Sequence, residues 1–114
     1  MPLPSNFNTL VERINQELNN LDHELYQAIE LIRERLILFP GNIISMQLFV
    51  TLNNYALFTE NTKRRIQEIL KYLAVNETLS DRDIQEAGED LSEQLGRILE
   101  AKIIVNNIKI RLEN

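Results

Sequence analysis

Three stretches of this sequence repeat their apolar residues at alternating steps of four and three, and very little interrupts them. In the first, the positions are Phe7, Val11, Ile14, Leu18, Leu21, Leu25, Ala28 and Ile32. The second reads Leu48, Leu52, Tyr55, Thr59, Thr62, Ile66, Ile69 and Leu73. The third reads Ile84, Ala87, Leu91, Ile98, Ala101, Val105, Ile108 and Leu112, missing a step only at Gln94, where Leu95 stands beside it. That spacing draws one apolar seam along each helix, the pattern of coiled coils and helical bundles.

The breaks between the stretches are few. With three Gly and three Pro in 114 residues, the chain has room for only a few connections, and hence for long helices. Pro2 and Pro4 precede Ser5, a good N-cap residue. Pro40-Gly41-Asn42 stops the first helix, because Pro cannot continue it. A softer break runs through Asn76-Glu77-Thr78-Leu79-Ser80, where Thr78 or Ser80 can cap and Asp81 or Asp83 suits the positive end of a helix dipole. The expected helices are therefore Ser5–Phe39, Ile43–Val75 and Ser80–Glu113, each about 50 Å long at 1.5 Å per residue. Near-equal lengths suit an all-α, up-down-up bundle in a single domain spanning 1–114.

Three local alternatives accompany this expectation. Thr59 and Thr62 fall on the seam of the second helix, so a cap at Thr59 or Asn61 could split it. Gly88 lies inside the third helix, ahead of Asp90 and Glu93 at capping-box spacing, and could kink it or delay its start. Ile108-Lys109-Ile110-Arg111-Leu112 alternates with period two, so Asn106-Asn107 could instead turn a hairpin.

Laid antiparallel, the segments gather their apolar residues at one end of the rod. Leu25–Phe39, Ile43–Phe58 and Ile98–Leu112 hold 30 hydrophobic residues in 46, whereas the opposite halves hold 17 in 55. Charges run the other way, 8 against 19. A three-helix bundle buries one stripe per helix, and this end carries more. Ile37 and Phe39 lie at the tip, Met46, Phe49, Val50 and Leu57 lie off the second seam, and Leu99, Ile103 and Ile110 form a second stripe on the third helix. A helix apolar all round is normally covered all round. These nine residues are the candidate interface, and the expected cover is a second copy of the chain or another helical protein.

Composition closes off several other functions. Absence of Cys excludes disulfides, thiolate catalysis and Cys-based metal sites, and no basic-then-apolar signal pattern opens the sequence, so the cytoplasm is the expected compartment. Leu36 to Thr59 carries no charge over 24 residues, but Pro40, Gly41 and several polar side chains interrupt it, so it does not read as a membrane span. A net charge of −5 disfavours phosphate backbones. The one basic run, Lys63-Arg64-Arg65, falls where a bundle sets it beside the acidic start of the third helix, which explains both clusters by mutual neutralisation. With Arg82, the same run offers the alternative reading of a small nucleic-acid-associated regulator.

The rest of the chemistry is sparse. His23 is the only histidine, without Glu-x-x-His or His-x-x-x-His spacing around it, and reads as a solvated residue. Glu86, Asp90 and Glu93 share a face, a strip that could hold Mg²⁺ or Ca²⁺ loosely but reads better as a solvated face. The Asn pairs at 19–20, 53–54 and 106–107 follow seam residues; the latter two are either solvent-facing or hydrogen-bonding points in an interface. No cofactor, small-molecule substrate or catalytic constellation is expected, which leaves a non-enzymatic interaction or regulatory protein.

Overall fold

In a computed structural model describing residues 5–114, three helices fill almost the whole chain: α1 (Ser5–Leu38), α2 (Ile43–Val75) and α3 (Asp81–Glu113). They form an up-down-up bundle, a rod of 58 × 19 × 16 Å. The helices end within a residue of the sequence expectation. Ser5, the expected N-cap, is the first residue of α1, and Pro2 and Pro4 before it lie outside the described residues.

Each break has a local cause. α1 stops at Leu38, two residues before Pro40, with the Phe39 N–H still donating to the Arg35 carbonyl (2.7 Å). Asn42 then caps α2, its side-chain oxygen accepting from the Ser45 N–H at 2.8 Å. Ser80 caps α3 in a reciprocal capping box: its hydroxyl accepts from the Asp83 N–H (3.1 Å), and the Asp83 carboxylate accepts from the Ser80 N–H (3.0 Å). These contacts hold the Asp83 carboxyl below its ordinary value of 3.8, the backbone N–H of Ser80 contributing most.

The three local alternatives resolve in favour of continuous helix. α2 is not split at Thr59, because the Thr59 hydroxyl donates back to the Tyr55 carbonyl (2.9 Å) instead of capping a new start. α3 neither starts late nor breaks at Gly88, since the Ser80–Asp83 box has already satisfied its first turn. Residues 103–112 are helical: Val105, Ile108 and Leu112 enter the core with helical spacing, which a hairpin would have to abandon.

The core follows the seams. Phe7, Ile14, Leu18, Leu21, Leu25, Ala28 and Ile32 from α1 meet Leu52, Ile66, Ile69 and Leu73 from α2. From α3 come Leu91, Leu95, Ile98, Ala101, Val105, Ile108 and Leu112. Thr59, Thr62 and Gln94 are buried with them, a polar interruption partway along the rod. Two ion pairs fix the parallel alignment of α1 and α3. Glu17 meets Lys102 at 3.0 Å and Glu24 meets Lys109 at 3.1 Å, one heptad apart on both helices. Near the tip the Arg35 guanidinium donates to the Leu112 carbonyl (3.2 Å), placing a cation at the negative end of α3.

Candidate interaction surface

The apolar end is built from a helix with two seams. At 100° per residue, Ile43, Met46, Val50, Asn53 and Leu57 fall within an arc of about 80° on α2. Their spacing is again three and four. This arc lies opposite the face that carries Leu52, Thr59 and Thr62 into the core, so the bundle cannot reach it. Ile43 is accordingly 70% exposed, Met46 51%, Val50 58% and Leu57 60%. A shallow concavity on this face is lined by α2 alone, from Ile43, Met46, Gln47, Val50 and Thr51. No charged residue occurs in α2 before Glu60.

α3 carries a second outward stripe: Leu99, Ile103, Asn106 and Ile110, within an arc of about 60°. It points elsewhere. Its groove is shared with α1 and lined by Glu24, Leu99, Lys102, Ile103 and Asn106. Ion pairs rim it, because Glu24 and Lys102 belong to the rungs joining α1 to α3. The two stripes therefore occupy one end of the rod but different faces of it.

Among the nine candidate interface residues, Ile37, Phe39, Met46, Val50, Leu57, Ile103 and Ile110 are exposed. Phe49 and Leu99 are half-buried against the core, each sitting at the border between a seam and its outward stripe. The sequence reading passed over Ile43, although its position seven residues before Val50 marks it as the start of the outer stripe. Leu38 beside the turn is also exposed.

The charged end is largely internally paired. Lys63 bridges to Asp22 of α1, a contact that raises the lysine pKa against the opposing effect of burial. Arg65 reaches Asp90 of α3 at 2.7 Å. Arg64 is exposed and, among the described residues, makes no ion pair. The acidic strip is divided among arginines: Glu86 pairs with Arg82 (3.0 Å), Asp90 with Arg65, and Glu93 with Arg97 (2.7 Å). His23 is exposed and shares a 3.1 Å contact with Gln27. Among the described residues no helix is long and apolar enough to cross a membrane. No family model matches the chain, and neither a curated protein nor a solved structure shows significant similarity to it.

Proposed function

We propose that this chain is a non-enzymatic helical interaction protein, an adaptor or regulator in a reducing compartment such as the cytoplasm, that self-associates through the apolar end of its bundle. The uncharged outer stripe of α2 carries the reading. Four large side chains more than half exposed in one heptad line cost several kcal/mol of hydration in a solitary rod, at about 25 cal/mol per Å². A covering helix recovers it. The charged end, its ion pairs made within the chain, is then free to meet a regulatory or assembly partner. The same pairing argues against a phosphate-binding role for Lys63-Arg64-Arg65, since Lys63 and Arg65 already have carboxylate partners on α1 and α3.

Leu57→Glu tests the proposal. Leu57 projects from the bundle, so the variant should fold with full helicity yet scatter light as a single chain. Phe49→Glu serves less well, because Phe49 packs partly against the core and its loss would also disturb folding. A wild-type self-associated mass that Leu57→Glu leaves unchanged would remove this face from the interaction.

A further inference from the structure

We draw no further inference here: the strongest candidate, the outward apolar stripe of α2 formed by Ile43, Met46, Val50 and Leu57, is an unpartnered helix face, and nothing in the structure shows what covers it.

Discussion

Leu52 and Leu57 are five residues apart on one helix and lie on opposite faces of it, so truncating each to Ala separates what folds the chain from what pairs it. Leu52 is fully buried between α1 and α3. Its truncation forfeits the transfer of three carbons and leaves a cavity in a rod too slender to collapse around it, a loss of about 3–5 kcal/mol. Domains of this size hold about 5–15 kcal/mol in all and lose about 4 °C per kcal/mol. Leu52→Ala should therefore melt roughly 10–20 °C lower. Leu57 is 60% exposed. The three carbons removed are worth about 2.4 kcal/mol when fully buried, so the part that a partner covers is about 1.4 kcal/mol per copy. A two-fold contact counts that twice, for about 3 kcal/mol, or roughly a hundredfold in dissociation constant. The assay pairs thermal melts by circular dichroism, at a concentration where the chain is monomeric, with sedimentation across a concentration series. Leu57→Ala should leave the monomer melt within a few degrees of wild type and shift the association curve. An equal fall in melting temperature for both variants would contradict this separation, because it would mean the outer stripe is already buried within one chain.

Other outcomes follow from individual contacts. Ser80→Ala removes one half of the α3 capping box and should cost about 1 kcal/mol in chemical denaturation. Because the Asp83 carboxyl is held below its ordinary 3.8 in the fold, its contribution is present above that value and lost as pH falls through the folded one. The melting difference between wild type and Asp83→Ala should accordingly be full at neutral pH and vanish in acid. A double-mutant cycle on Glu24 and Lys109 should give a coupling of about 1 kcal/mol that shrinks with added salt. Passage of the chain through immobilised DNA or RNA at low salt without retention is expected, and retention abolished by Arg64→Glu with Arg65→Glu would instead support the nucleic-acid reading.

The seams were legible because heptad spacing survives any rotation of one helix against another. Core positions such as Ile14, Leu52 and Ile98 could be named from spacing alone. Ser80 was legible as a cap only alongside Thr78, and the reciprocal contact with Asp83 is what selects it. Asn42 was not, since Pro40 and Gly41 explained the same break and left its capping role unread. The Glu17–Lys102 and Glu24–Lys109 rungs depend on the alignment of two helices 85 residues apart, which no local pattern records. The separation of the two outer stripes was hidden for a related reason: that each is apolar is a property of one helix, but the face it opens onto depends on where the other two helices stand. Phe49 and Leu99 were assigned wholly to the outside, and it is their position at the edge of a seam that brings them partly against the core.

In the proposed assembly a second copy covers the apolar end of this rod. Light scattering on the purified wild-type chain across a dilution series measures that most directly. A weight-average mass approaching twice 13.3 kDa, falling toward 13.3 kDa only on strong dilution, is the predicted result. A well-folded chain that holds at 13.3 kDa up to high concentration, with Ile43, Val50 and Leu57 in water, would contradict it.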